Sequence, residues 1–359
     1  MEAIPIEFDS KKFQENLISW FTEEKRDLPW RRTADPYQIW ISEIMLQQTR
    51  VDTVIPYYKR FVEKFPTLND LANAEEEVLL KQWEGLGYYS RARNLQAGVK
   101  EVAEKYNGIV PSTRKEISSL KGVGPYTAGA VLSIAYGIPE HAVDGNVMRV
   151  LSRILLVEED IAKPKTRKIF EEAVMEIISH ENPSFFNQGL MELGALICTP
   201  TSPKCLLCPV REQCGAFHEG RQHELPVKTK AKKGKELYYA MLAIYSGETV
   251  LMEKRPESGL LANMWQFPMV EMGGAILPEG LDEHLSENFK GTVENTEQIT
   301  SFKHVFSHLT WNVDGFTAQG DGLTVPSHMK WVTADELELL PVAGPVRKMK
   351  EALRQRGDV

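Results

Sequence analysis

Residues 120–126 read LKGVGPY and residues 141–150 read HAVDGNVMRV, with an apolar helical run ending at Ile134 between them. The turn from Gly122 to Gly124 separates two helical patterns, so its backbone amides have no helix partner and no side chain shields them. Amides of this kind at the N-terminus of a helix can bind a phosphate oxygen. The segment therefore predicts a grip on a nucleic-acid backbone that needs no cationic side chain.

Asp144 stands between Val143 and Gly145, in a mostly apolar segment. A carboxylate is costly in such a setting, so its presence suggests a function. We interpret it as the negative charge that meets a cation forming on a sugar. Two plainer interpretations stay open on the residues alone. A Gly-x-Gly between helices is often only a tight turn, and an Asp before a Gly is often only a helix cap.

Taken together, the glycine turn, the residues that follow it and the aspartate resemble the helix-hairpin-helix DNA glycosylase superfamily. The resemblance implies that Gly122 and Gly124 belong to a hairpin that binds DNA phosphate. It also implies that Asp144 is essential for cleavage of the N-glycosidic bond.

Length and charge limit the possible classes of protein. The chain has 359 residues, enough for two domains that each bury a core. Its net charge of -8 disfavours a nucleic-acid partner, because a phosphate-binding face needs positive potential. Local basic clusters support DNA binding, although such clusters also occur on ordinary solvated faces. They are Arg26, Arg31 and Arg32; Arg91 and Arg93; and Lys228, Lys230, Lys232, Lys233 and Lys235.

The N-terminal residues 1–10 are acidic and lack the basic start and apolar core of a signal peptide. No apolar run reaches the length of about 18 residues that spans a bilayer. We therefore predict a cytoplasmic protein, nucleoid-associated if bacterial, with no membrane partner.

Helical periodicity runs from Phe8 to about Cys214 and then stops. We predict a multi-domain chain: an all-helical domain at residues 1–214, a Lys-rich linker at 215–236 and an α+β domain at 237–359. Strands are expected at 237–245, 249–254, 299–306 and 309–316, and helices near 281–289 and 345–354.

Residues 40–49 read WISEIMLQQT and form a second candidate site. The apolar residues put Glu43 near an apolar surface of a helix, where the pKa of its carboxyl would rise toward that of a usable acid. An ordinary surface glutamate is the alternative. The run resembles the adenine glycosylase branch of the superfamily, the MutY family, which implies that Glu43 protonates N7 of adenine. The neighbouring candidate DNA contacts are Leu46, Gln48 and Thr49.

Cleaving a bond between a sugar and a base is glycoside chemistry, which usually uses one acid and one anion. Glu43 and Asp144 fill these roles. The resemblance implies a retaining mechanism, with Tyr126 and Asn146 donating hydrogen bonds that orient Asp144. Endonuclease III-like relatives carry a Schiff-base lysine at the position of Tyr126, so the residue predicts a monofunctional glycosylase. Lys121 lies nearby in sequence, which leaves slow imine trapping open.

Residues 83–94 read WEGLGYYSRARN, a two-glycine turn with aromatic and basic residues. It predicts either a wedge inserted into a base stack or a plain helix corner with core tyrosines. The resemblance implies the wedge, in which Tyr88 and Gln48 intercalate beside the extruded base, with Leu86 as a further DNA contact. It also implies an adenine-pocket wall made of Arg26, Trp30, Arg31 and Gln188.

The four cysteines are Cys198, Cys205, Cys208 and Cys214. Four clustered thiolates can hold either zinc or an iron-sulfur cluster. Their spacing resembles the cluster loop of the same glycosylases, which implies a 4Fe-4S cluster with a structural role.

The C-terminal part resembles the Nudix-like domain of the MutY family. The metal-binding helix Arg-Glu-x-x-Glu-Glu of Nudix hydrolases is missing, since no arginine lies between Arg255 and Arg347. We therefore expect a lesion reader, in which Phe306, Ser307 and His308 form the recognition turn. The resemblance implies a monomeric enzyme of base excision repair that acts on duplex DNA with an A:8-oxoguanine or A:G mispair. The rivals are an endonuclease III-like enzyme and a non-catalytic DNA-binding protein.

Overall fold

The computed structural model describes residues 8–229, 234–272, 281, 285 and 289–358. The chain divides into two compact units, the first made of Met1–Asn73 and Asn94–Lys230 and the second of Ala74–Arg93 and Ala231–Val359. The domain limits given above stay a prediction, and residues 74–93 group with the second unit. Among the described helices, none is long and apolar enough to cross a membrane.

Helices account for the regular structure up to His218, as the periodicity predicted. They are α1 Ser10–Glu24, α2 Pro36–Leu46, α3 Val51–Lys64, α4 Leu68–Ala72, α5 Glu76–Trp83, α6 Ser90–Lys105, α7 Arg114–Ile117, α8 Pro125–Tyr136, α9 Gly145–Ile154, α10 Pro164–Ile177, α11 Pro183–Leu196 and α12 Gly215–His218. Short 3-10 turns lie at Pro29–Arg31, Cys205–Leu207 and Arg211–Gln213.

The core of the first unit is an apolar cluster to which α1, α9, α10 and α11 contribute. Phe13, Leu17, Phe170 and Phe186 are fully buried in it. Val143, which directly precedes Asp144 in the chain, is also part of this core. The packing of Val143 in the core therefore fixes the start of α9, since a close-packed interior leaves little room for movement.

The predicted hairpin is formed by the turn between α7 and α8. Gly122 has φ +77°, a conformation that costs a glycine little and other residues more. Gly124 is the N-cap of α8 and Pro125 is its first residue, so no side chain caps the amides at this helix start.

Gly129 allows α8 to pass very close to the segment before α9. A Cβ atom at this position would lie 1.7 Å from the carbonyl oxygen of His141. Only a glycine permits this approach, which holds the 141–144 segment against α8.

The second unit contains a seven-stranded sheet in the order β3-β2-β1-β6-β5, with β4 also paired to β1 and β7 to β2. Strands β1 and β6 are parallel, and Leu237 lies opposite Trp311. The strands are β1 Lys235–Ser246, β2 Thr249–Lys254, β3 Trp265–Gln266, β4 Met269–Met272, β5 Thr292–Val305, β6 Leu309–Asp321 and β7 Met329–Val332.

The four expected strands are confirmed as β1, β2, β5 and β6, although β5 begins earlier than predicted. The helix expected at 345–354 is confirmed as α14, Gly344–Arg356, and is preceded by α13, Ala334–Leu339. The helix expected near 281–289 lies largely outside the described residues. Within it, Leu281, Leu285 and Phe289 are helical and buried.

Candidate active site

A cleft of about 1070 Å³ opens in the first unit. Its walls come from the Pro29–Arg31 turn, from α2, α8 and α11, and from the start of α9. Most residues predicted for catalysis or base binding line it. They are Arg26, Trp30, Arg31, Glu43, Leu46, Gln48, Thr49, Tyr126, Asp144, Asn146 and Gln188. Residues distant in sequence thus share one concave site, which is the usual form of a small-molecule or base pocket.

Glu43 lies on α2 and is only 5% exposed. Burial raises the pKa of its carboxyl from 4.5 to about 7, while a hydrogen bond from Tyr126 and the charge of Arg31 oppose the rise. The predicted rise in pKa is therefore confirmed, with desolvation as its main cause. A carboxyl with a pKa near neutrality is suited to general acid catalysis.

Asp144 is the N-cap of α9 and is also part of the cleft. Its Oδ1 accepts the backbone N–H of Val147 at 2.7 Å, and its Oδ2 accepts Asn146 Nδ2 at 2.9 Å. Burial raises the pKa of this carboxyl, and the two hydrogen bonds oppose the rise. The plain interpretation as a helix cap and the functional interpretation are thus compatible.

The role predicted for Tyr126 needs a correction. Its hydroxyl donates to Glu43 Oε2 at 2.5 Å and lies 3.3 Å from Met191 Sδ. The sequence prediction gave this hydrogen bond to Asp144. The difference arises because Tyr126 sits in the first turn of α8, which packs on α2, the helix that carries Glu43. Asn146 does bond Asp144 as predicted.

Glu192 on α11 is a charged residue of the cleft that sequence reasoning missed. Its carboxylate accepts five hydrogen bonds, three from Arg26 and two from Arg31, at 2.7 to 3.0 Å. Burial alone would raise the pKa of Glu192, but these hydrogen bonds outweigh it and lower the pKa to about 2. A glutamate inside the apolar run 189–196 was the available signal.

Two buried arginines of α9 were also missed. Arg149 donates to Asn146 Oδ1 at 2.9 Å and to the carbonyls of Cys198 and Gly194 at 2.9 and 2.8 Å. Arg153 donates to Cys198 Sγ at 3.2 Å and to the carbonyl of Thr199 at 2.8 Å. Helix α9 therefore bonds two regions: Arg149 bonds Asn146, the partner of Asp144, and Arg153 bonds the cysteine loop.

The four cysteines line one common cavity of the first unit. They are free thiols, and burial raises the pKa of Cys208 to about 12 and of Cys214 to about 11. Among the described residues, no group of three or more His, Cys, Asp or Glu side chains has the arrangement of a metal site. The donor set itself, four thiols and a neighbouring guanidinium, suits a thiolate-ligated centre.

Gly122 and Gly124 do not line the cleft. They leave the first amides of α8 without a side-chain cap, the local geometry that phosphate binding requires.

Gln48 and Tyr88 have left-handed backbones, with φ +57° and +48°. This conformation is uncommon for residues other than glycine and clusters at functional positions. Tyr88 belongs to the second unit and is 48% exposed, whereas the predicted DNA contact Leu86 is buried. Tyr88 therefore presents a side chain to solvent and Leu86 does not.

The predicted recognition turn connects β5 to β6 in the second unit. Ser307 and His308 are exposed, and the Phe306 ring packs on Trp311 with centroids 4.9 Å apart. Ser307 Oγ lies 2.7 Å from the hydroxyl of Tyr88. Two residues predicted for different DNA contacts therefore meet within one unit.

Family models match both parts of the chain. The HhH-GPD superfamily base excision DNA repair protein matches residues 41–176, and the NUDIX domain matches residues 239–352. The family matches and the helical fold with its hairpin thus define the class as a helix-hairpin-helix base excision DNA repair protein with a Nudix domain. The predicted fold class is confirmed.

Relatives refine this class. The adenine DNA glycosylase of Homo sapiens is 35% identical over 94% of this chain and 73% of its own length. A solved thermostable thymine-DNA glycosylase is 31% identical with a TM-score of 0.52, covering 58% of this chain and 97% of that chain. A trapped endonuclease III–DNA covalent intermediate is 28% identical with a TM-score of 0.50, covering 59% and 98%. The chain belongs to the adenine DNA glycosylase family and is a DNA N-glycosylase.

Proposed function

We propose that the enzyme hydrolyses the N-glycosidic bond of adenine mispaired with 8-oxoguanine or guanine in duplex DNA. The observation that carries the proposal is the pair of carboxyl groups in one cleft, the buried Glu43 and the half-buried Asp144, both with raised pKa values. Groups with separate environments and shifted pKa values supply the acid and the anion of glycoside chemistry.

Glu43 is the proposed general acid. Because Tyr126 donates to Oε2, the carboxyl proton belongs on Oε1, the oxygen that this bond leaves available. The proton passes to N7 of adenine, and the electron pair of the glycosidic bond leaves with the base. With a pKa of about 7, a substantial part of the enzyme is in the acid form near neutral pH.

Asp144 is the proposed stabiliser of the sugar cation. Its two hydrogen bonds fix the carboxylate on the N-terminus of α9 without neutralising its charge. Arg149 bonds the other end of the Asn146 amide and so holds the donor in place. Water then adds to the sugar carbon and releases one proton to solvent, and an abasic site remains.

The proposed enzyme does not cleave the DNA strand. Tyr126 occupies the position of the Schiff-base lysine of endonuclease III-like enzymes, and a phenol forms no imine. The hydrogen bond from Tyr126 to Glu43 instead supports a role in which Tyr126 orients the Glu43 carboxyl group.

Recognition of 8-oxoguanine is proposed for the exposed turn formed by Phe306, Ser307 and His308, together with Tyr88. The short distance between Tyr88 and Ser307 supports a joint surface, with one residue stacking on bases and the other offering a hydrogen bond. The hairpin glycines would hold the DNA backbone, and the enzyme would act as a monomer.

Cys198, Cys205, Cys208 and Cys214 would hold a 4Fe-4S cluster. All four thiols line one cavity, and Arg153 beside Cys198 Sγ would offset thiolate charge. The cluster would supply structural cross-linking of the 198–214 loop. Iron and sulfide analysis of the purified protein, with zinc measured in parallel, distinguishes the two metal assignments.

The test is single-turnover base release from matched duplexes that contain A:8-oxoguanine, A:G, A:T or thymine glycol:A, each developed with and without alkali. Alkali-dependent breaks at adenine only in the first two duplexes are expected. Breaks at thymine glycol without alkali would overturn the proposal and favour an endonuclease III-like enzyme.

A further inference from the structure

Glu192 occupies an unusual electrostatic position in the cleft. Its side chain is 1% exposed, whereas those of Arg26 and Arg31 are 33% and 12% exposed. One buried carboxylate therefore neutralises one of two guanidinium charges, and the group keeps a single net positive charge. Removing one partner of such a buried arrangement leaves a charge uncompensated.

The geometry makes this arrangement well defined. Both oxygens of Glu192 are used, since Oε1 accepts Arg26 Nε at 2.9 Å and Oε2 accepts Arg26 Nη2 at 2.7 Å. Arg31 binds the same oxygens from its own fork, each at 3.0 Å. Arg31 also donates to the carbonyl of Arg26. Paired forks of this type are strong and directional.

Arg31 connects this group to the proposed acid. The titratable or charged side chains that act on Glu43 are Tyr126 from α8, Asp144 at the start of α9 and Arg31 from the Pro29–Arg31 turn. The other titratable or charged residues that line the cleft are Arg26, Arg50, Arg149, Arg167, Glu192, His223 and Lys228. An uncompensated guanidinium favours the ionised form of a neighbouring carboxyl.

We infer that Glu192 is a positioning residue that screens Arg31 and so keeps the Glu43 carboxyl in its proton-donating form near neutral pH. The inference rests on the proposed role of Glu43 as the acid. It assigns to Glu192 two linked effects. The residue holds the arginines of the pocket wall in place, and it limits the positive potential that reaches Glu43.

The experiment is a pH profile of single-turnover adenine release from A:8-oxoguanine duplex, with the full-length protein. Ionisation of the acid produces the limb on which the rate falls as pH rises. Glu192→Gln removes a negative charge at nearly constant volume, so this limb should move to lower pH by about one pH unit. Relative to wild type, the rate should then fall about tenfold further on the alkaline side than on the acidic side, where only the loss of arginine positioning acts.

Three comparisons separate the effect of charge from an effect on the structure. Glu176→Gln, an exposed substitution on α10, is the matched control and should leave the limb in place. The double variant Glu192→Gln with Arg31→Gln restores the net charge of the group, so its limb should return toward that of wild type. Arg31→Gln alone should move the limb to higher pH, and it tests the same account if Glu192→Gln does not fold.

A uniform loss of rate in Glu192→Gln with an unshifted limb would overturn the inference, and so would a shift that Arg31→Gln does not reverse. The failure of the proposed function has a different signature. If Glu43→Gln releases adenine at the wild-type rate, Glu43 is not the acid. If Glu43→Gln is inactive and the limb of Glu192→Gln is unmoved, only the inference on Glu192 is wrong.

Discussion

The buried Glu43 should destabilise the folded protein at alkaline pH, and Glu43→Gln should relieve that cost. In the unfolded chain the carboxyl ionises with a pKa of about 4.5, whereas burial raises the pKa in the folded state to about 7. Between these values the unfolded state gains stability by releasing the proton, and above the folded pKa the cost is constant.

The magnitude follows from the shift. A difference of about 2.5 pKa units corresponds to roughly 3 kcal/mol of stability lost above the folded pKa and none below the unfolded pKa. Glu43→Gln should therefore be more stable than wild type by up to this amount at pH values above the folded pKa. Its advantage should shrink as pH falls toward the unfolded value.

The assay is urea unfolding, followed by the loss of helical circular dichroism, at a series of pH values. Glu23→Gln, an exposed substitution on α1, controls for a change of net charge. A difference between Glu43→Gln and wild type that does not depend on pH would refute the reasoning, because it would mean that the buried carboxyl is not the source of the cost.

Three further changes test the site. Asp144→Asn should abolish adenine release while duplex binding, followed by gel shift, is kept, because Asn keeps the cap and loses the charge; substantial residual cleavage would contradict the assignment. Tyr126→Phe removes a donor to Glu43 Oε2, which raises the pKa of Glu43, so the alkaline limb of the pH profile should move to higher pH by about one unit or more. A move of this limb to lower pH would contradict the assignment. Ser307→Ala should reduce release from A:8-oxoguanine relative to A:G in a competition assay, whereas equal loss on both duplexes would argue against a reading role.

The sequence was informative wherever a short stretch carried both a pattern and its chemistry. Glu43 and Asp144 each lie in a compact motif among apolar residues, which accounts for the burial of Glu43 and the partial burial of Asp144. Arg149 and Glu192 gave a weaker signal, because their partners are far away in the chain. Glu192, for example, is 166 residues from Arg26. Local sequence cannot pair such residues.

Tyr126 shows a second limit of sequence reasoning. Its presence at the cleft was predicted, but its partner was wrong, since the choice between two nearby carboxylates depends on helix packing. In the second unit, β3 and β4 have only two and four residues, too few for a strand pattern to be distinguished from a loop. The strands with longer alternating or apolar runs were found.

Gly129 is a helical position at which alanine would damage the protein. In an exposed helix interior, replacing glycine by alanine is usually stabilising by roughly 0.5 to 1 kcal/mol. Here the added methyl group would collide with the His141 carbonyl, which belongs to the segment that leads into Asp144. Gly129 does not line the cleft, yet it sets the distance between two elements that do. Gly129→Ala, which helix propensity would favour, should therefore reduce the activity of the enzyme although no side chain of the cleft is changed.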